Sequence, residues 1–320
     1  MPSTEIRHRQ VATNGIELHV AEAGEGPLVV LCHGFPESWY SWRHQIAPLA
    51  AAGYHVMAPE LRGYGDSTKL PNVDDYGIEK LNHDLLGLLD DAGEEQGVFV
   101  VHDWGALIVW DLARLHPERV RGVVGVSVPL MNWGFAPVPA MRAALGERFY
   151  IVYFQEVGPA ETEMERDVRD TMTRTLWGAS GDFARLVAEG KATPGSGGFL
   201  DAMPMPPEQL PAWLTEEDID VYTAQFEKSG FFGPVSFYRN LDANWELTNL
   251  LPIERISMPS AFIGGDRDGV VTMSQGRIDA MPSELPDYRG STILEGPGHW
   301  TQQEDPDGFN AALLKFLGGL

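Results

Sequence analysis

Four nearly uninterrupted apolar runs limit this chain most: "PLVVLCHG" (27–34), "YHVMAP" (54–59), "GVFVVHD" (97–103) and "VRGVVGVSV" (120–128). Strands without polar alternation are buried on both faces, and the sheet that buries them is mostly parallel, with helices on each side. Helical segments at roughly 39–52, 76–91 and 105–115 supply those layers, the last stopped by Pro117. Ahead of them, "VATNGIELHVAEAG" alternates polar and apolar residues about Asn14-Gly15, which predicts an antiparallel hairpin. An α/β fold follows.

Beyond residue 129 the apolar spacing becomes helical, as at Met164, Val168 and Met172 and again at Ile219, Tyr222 and Phe226. Thr215 and Asp218 form a capping-box pattern ahead of the second set. "KATPGSGG" (191–198) reads as a flexible loop, since no strand precedes it and no Lys-Ser/Thr pair follows as a phosphate loop would need. Strand runs resume at "SAFIGG" (260–265) and "GSTILEG" (290–296), before a closing helix over about 304–317. The expected organisation is a core of residues 1–129 and 251–320, with a helical cap (130–250) inserted between its halves.

The net charge of −23 over 320 residues repels nucleic acid and anionic membrane surfaces. A solvated acidic surface accounts for it. Cys32 is the single cysteine, so no intramolecular disulfide forms, and its apolar neighbours suit a small buried side chain. No apolar stretch is long enough to span a bilayer and the first residues lack a signal-peptide core, which fits a cytoplasmic enzyme. His102 and the other histidines show no metal-ligand spacing. A homo-oligomer is compatible with all of this.

Asp103 stands where a buried strand gives way to a helix beginning near Gly105, a turn that can hold a side chain exposed above the sheet. It either caps that helix or acts as a nucleophile. "HGFPESW" (33–39) follows a core strand in the position from which one oxyanion N–H is drawn, so Phe35 N–H and Trp104 N–H would form the hole. His33 reads as a structural brace for this loop. "GGDRDGVV" (264–271) sets Asp266 and Asp268 after a late strand, and "GPGHW" (296–300) sets His299 after the last one. The chain order acid, acid, histidine is that of a hydrolase triad with its serine replaced. No acid follows the strand at 120–128, where a triad acid has its alternative position.

Together "HGFPESW", "HDWGA", "FYRN", "GDRD" and "GPGHW" resemble the epoxide hydrolases of the α/β-hydrolase superfamily over nearly the whole chain. The resemblance implies the α/β-hydrolase fold, Asp103 as nucleophile, Asp268 and His299 as its triad partners, and Tyr238 as one ring-opening tyrosine. Tyr150 best matches the second tyrosine, with Tyr153 as the alternative. Asp266 is then a turn residue. No cofactor is implied, and the partners are an apolar epoxide and water. Phe35, Trp104, Met131, Trp133 and Phe154 are candidates for the apolar pocket. Two features depart from the family: Val101 where a small residue usually precedes the nucleophile by two positions, and Glu60 where an aspartate is common in "LRGYGDS".

The chemistry accounts for the residue types. An epoxide carbon needs an attacker with lone pairs, and a carboxylate is already ionised at neutral pH. Two phenols can hydrogen-bond and protonate the oxygen as the ring opens. Dehalogenation uses the same nucleophile and histidine but needs a halide cradle. Phe35 stands where haloalkane dehalogenases often have Asn, and Trp104 where fluoroacetate dehalogenases have Arg. A non-catalytic ligand-binding protein on the same fold is the other alternative, and it fits poorly with a complete acid-base-nucleophile set.

Overall fold

The computed structural model describes residues 4–193, 195 and 199–320. Its centre is an eight-stranded sheet in the order β1-β2-β4-β3-β5-β6-β7-β8. These strands are β1 Arg7–Thr13, β2 Ile16–Ala23, β3 Leu28–Cys32, β4 His55–Pro59, β5 Gly97–His102, β6 Val120–Val126, β7 Ser260–Gly265 and β8 Tyr288–Leu294. β2 pairs antiparallel with both its neighbours, whereas the pairs from β4 through β8 are parallel. The hairpin turns at Asn14 and Gly15, both with positive φ.

Alternate residues of each central strand enter separate cores. Val30, Cys32, Phe99, Val101 and Val123 face one side, where they pack on α2 (Ile78–Ala92) and α3 (Trp104–Leu115). Val29, Leu31, Val98, Val100, Val124 and Val126 face the other, against α1 (Arg43–Ala51) and the last helix, Pro306–Leu317. The continuous apolar runs thus reflect a sheet covered on both faces.

Between β6 and β7 the described residues form helices and no strand; the α-helices are α4 Pro137–Leu145, α5 Tyr150–Tyr153, α6 Pro159–Glu165, α7 Val168–Gly178, α8 Gly181–Ala188, α9 Phe199–Ala202, α10 Glu216–Ser229, α11 Phe232–Arg239 and α12 Leu241–Thr248. After β7 come α13 Gly269–Met273, α14 Gln275–Glu284, α15 Thr301–Glu304 and the final α16. The capping box of α10 is complete, with Asp218 N–H donating to Thr215 Oγ1 at 3.1 Å and Thr215 N–H to Asp218 Oδ2 at 2.8 Å.

Three boundaries differ from the periodicity. Met164 and Val168 lie in different helices, because the Asp167 carboxylate accepts from Asp170 N–H at 2.9 Å and starts a new one. The segment 39–52 begins as a 3-10 turn at Trp39–Trp42 before α1. The closing helix divides at Asp305, which caps α16 ahead of Pro306. In the predicted loop at 191–198, residues 191–193 and 195 belong to no helix or strand, and residues 194 and 196–198 lie outside the described residues.

Close approach between β3 and α3 rests on glycine. A Cβ on Gly105 would lie 2.4 Å from the Cys32 carbonyl oxygen, and one on Gly34 would lie 2.3 Å from the Asp103 Cβ. Val101, the departure from the family pattern, is fully buried opposite Cys32 on one side and Gly125 on the other. Its bulk is taken up there while Gly105 makes the tight contact. Gly105→Ala is expected to destabilise the protein by about 2 kcal/mol or more through overpacking against backbone, measured as a lower urea midpoint.

Candidate active site

Asp103 occupies the single residue between β5 and α3, with φ 50° and ψ −115°. A non-glycine residue in this region costs about 1–2 kcal/mol and persists only where its surroundings hold it. Its side chain makes no cap hydrogen bond to α3, which excludes the capping role. Instead Oδ1 accepts from Phe35 N–H at 2.8 Å. Trp104 N–H, the first amide of α3, stands next to the same carboxylate in the chain. The sharp turn brings the side chain over the sheet, where Gly34 leaves it room.

Oδ2 of Asp103 lies 3.7 Å from His299 Nε2. His299 Nδ1 lies 3.4 Å from Asp268 Oδ2, so the ring stands between two carboxylates. Burial lowers the affinity of this imidazole for a proton, but Asp268, Asp103 and Glu37 outweigh it and raise the pKa to about 9. For Asp268 burial acts upward, and the His299 charge with hydrogen bonds from His299, Ser127 and Val270 N–H holds the carboxyl below its usual range. Asp266 is exposed and accepts from Gly296 N–H at 2.7 Å, a turn residue remote from the ring.

Opposite Asp103 stand two tyrosines from the helical segment. Tyr150 begins α5 and Tyr238 lies in α11, with ring centroids 5.8 Å apart. Both face a cavity of about 470 Å³ that Asp103, Asp268 and His299 also line. Burial, and after it the Asp103 charge, push both phenols above their ordinary pKa, so they stay protonated at neutral pH. Tyr153 is not on this wall; burial and its hydrogen bond to Glu163 push its pKa up to about 12. Tyr150 rather than Tyr153 therefore shares the cavity with Asp103.

The candidate pocket residues divide. Phe35 lines the cavity, whereas the Trp104 side chain does not: it packs edge-on against Tyr238 at 4.9 Å and faces the smaller cavity on its other side. Phe154 is fully buried behind the wall, 5.1 Å from Tyr238 and 5.7 Å from both Phe35 and Tyr150. Met131 and Trp133 are corrected: they line a separate cavity of about 40 Å³ beside Trp110, Asp111 and Arg114. The chain after β6 turns toward α12, where the Trp133 carbonyl accepts from Trp245 Nε1 at 2.8 Å. The larger cavity is lined instead by Phe183, Val187, Phe199, Met203 and Val270, whose spacing carried no signal of their own.

A second buried pair was not legible. Glu37, inside the "HGFPESW" motif, meets His102 Nδ1 at 2.5 Å through Oε2, which also accepts from Gly34 N–H at 2.8 Å. His102 Nε2 in turn donates to the His299 carbonyl at 2.8 Å. One carboxylate thus ties the Phe35 loop, the residue before the nucleophile and the histidine loop together. His33 lies apart from this chemistry, fully buried between the Gly34 carbonyl and Leu61 N–H. Cys32 is buried and its thiol is pushed up by desolvation. Among the described residues no group of three or more His, Cys, Asp or Glu side chains could hold a metal ion, and no helix is long and apolar enough to cross a membrane.

Burial raises the Glu37 pKa, but His102 and Gly34 N–H overcome it and bring the value from 4.5 to about 2. A depressed folded-state pKa stabilises above the unfolded value and loses that contribution as pH falls through the folded one. Glu37→Gln is therefore expected to be less stable at pH 7 by about 2 kcal/mol. The difference from the parent protein should shrink between pH 4.5 and about 2, as thermal melts across that range would read.

A family profile described as alpha/beta hydrolase fold matches residues 27–306. The chain is 46% identical over 316 residues to Epoxide hydrolase A of Mycobacterium tuberculosis, covering 98% of this chain and 97% of that one. It is 39% identical to the Bifunctional epoxide hydrolase 2 of Rattus norvegicus, covering 98% of this chain and 56% of the rat protein. The crystal structure of Epoxide Hydrolase A from Mycobacterium thermoresistibile superposes with a TM-score of 0.90 at 47% identity, over 99% of each chain. With this sheet order, this strained aspartate turn and full-length similarity at such identity, the chain belongs to the epoxide hydrolases of the α/β-hydrolase fold family.

Proposed function

We propose that this enzyme converts apolar epoxides to vicinal diols through a covalent ester on Asp103. The observation that carries the reading is one cavity in which Asp103 faces His299 on one side and two protonated tyrosines share the wall. Residues 130–250 act as the cap that closes this cavity over the core.

In the first step Asp103 attacks an oxirane carbon, the C–O bond breaks, and an ester forms. Tyr150 and Tyr238 donate hydrogen bonds to the leaving oxygen, and one of them transfers its proton. In the free enzyme His299 is largely protonated below about pH 9. Esterification removes the Asp103 charge that helps to hold this proton, so the imidazolium gives it up and the tyrosinate is restored. His299 becomes a base when one is required.

In the second step His299 takes a proton from water as the oxygen attacks the Asp103 carboxyl carbon. Phe35 and Trp104 N–H stabilise the resulting oxyanion. His299 then protonates the departing diol oxygen, and the carboxylic acid left on Asp103 returns its proton to the ring. Every proton is accounted for without a cofactor.

His299→Gln is expected to form the ester but not release it, so intact-protein mass after incubation with an epoxide should rise by the mass of that epoxide. Asp103→Ala should show no addition; equal addition in both variants would remove the ester from the mechanism. A raised histidine pKa keeps the ring charged at lower pH. Ester decay in the parent enzyme should therefore increase through a limb below about pH 9, with no matching limb in ester formation, as stopped-flow fluorescence would resolve.

A further inference from the structure

Ser127 directly follows β6, and the mechanism above gives it no part. Its setting is not that of a spare hydroxyl. The residue is fully buried and has φ 65°. Glycine adopts such a conformation freely, whereas serine is strained there. Its N–H donates to the Ile263 carbonyl at 3.0 Å, which ties the turn to the strand leading to Asp268.

The side chain reaches both partners of the pair. Ser127 Oγ lies 2.8 Å from His299 Nδ1 and donates to Asp268 Oδ2, while the direct Nδ1–Oδ2 separation is 3.4 Å. Proton counting sets the directions. An ionised carboxylate only accepts, so the single hydroxyl hydrogen points to Asp268 and a lone pair faces the ring. Nδ1 must then carry a hydrogen, and in the neutral ring Nε2 is left as the base on the Asp103 side. The other Asp268 oxygen is occupied by Val270 N–H at 2.8 Å, which holds the carboxylate in place.

We propose that Ser127 is a positioning residue for ester hydrolysis, its hydroxyl carrying the influence of Asp268 to His299 Nδ1 and so selecting the tautomer with a basic Nε2. No bond breaks in this relay; the hydrogen bonds polarise and orient the ring. The proposal rests on the ester mechanism above for its kinetic consequence, though the hydrogen-bond chain itself exists without substrate.

The test uses Ser127→Ala and Ser127→Gly, the second relieving the positive φ so that loss of folding does not cloud the result. In single turnovers with styrene oxide, both variants should form ester at the parent rate and release it about tenfold more slowly. The pH limb of ester decay should move to lower pH, because the imidazolium loses its nearest acceptor. Without substrate, the downfield His299 Nδ1–H resonance should shift or be lost to exchange in both. Unchanged decay, an unchanged limb or an unchanged resonance would overturn the proposal, as would equal slowing of formation and decay, which marks general distortion. If the parent enzyme forms no ester, the ester mechanism fails on its own, while the resonance still decides whether Ser127 holds Nδ1.

Discussion

A buried imidazole held between two carboxylates is the constraint on which the rest of this structure depends. Removing such charges from water costs several kcal/mol each unless every one is partnered. Asp103 has Phe35 N–H and the His299 ring, and Asp268 has the ring, Ser127 and Val270 N–H. These partners come from chain segments far apart in sequence. The sheet must hold the ends of β3, β5, β6, β7 and β8 in one register before the charges can be buried at all.

That requirement explains why stability and chemistry share residues. Gly34 and Gly105 leave the clearances that let Asp103 sit over the sheet, and Glu37 links the three loops that present Phe35, Asp103 and His299. A change at any of them alters both folding and geometry. The helical segment contributes differently. It brings Tyr150 and Tyr238 against the cavity, where desolvation and the Asp103 charge keep the phenols protonated.

Legibility followed the range of the forces involved. The hairpin at Asn14-Gly15, the capping box at Thr215 and the runs of β3 to β7 are written by neighbours in sequence, and the structure has them where the pattern places them. The Asp167 cap within an apparently continuous helical spacing is not legible, because apolar periodicity does not register a two-residue break. Asp103, Asp268 and His299 stood out as polar residues following apolar strand runs. The Glu37–His102 pair did not, since either residue alone has an ordinary explanation. Met131 and Trp133 sat near the right strand but on a chain that turns to the other side of Trp104.

The sequence by itself determined the layered α/β architecture and the helical stretch between its halves and marked the candidate site residues, because local periodicity and short motifs carry that information. Tertiary structure decided which side chains meet. It seated Tyr150 rather than Tyr153 beside Asp103, set Phe154 behind the cavity wall, and put the Ser127 hydroxyl between Asp268 and His299. Those outcomes depend on side-chain directions and distances of a few ångströms between segments far apart in the chain, which only the packed sheet and its helices specify.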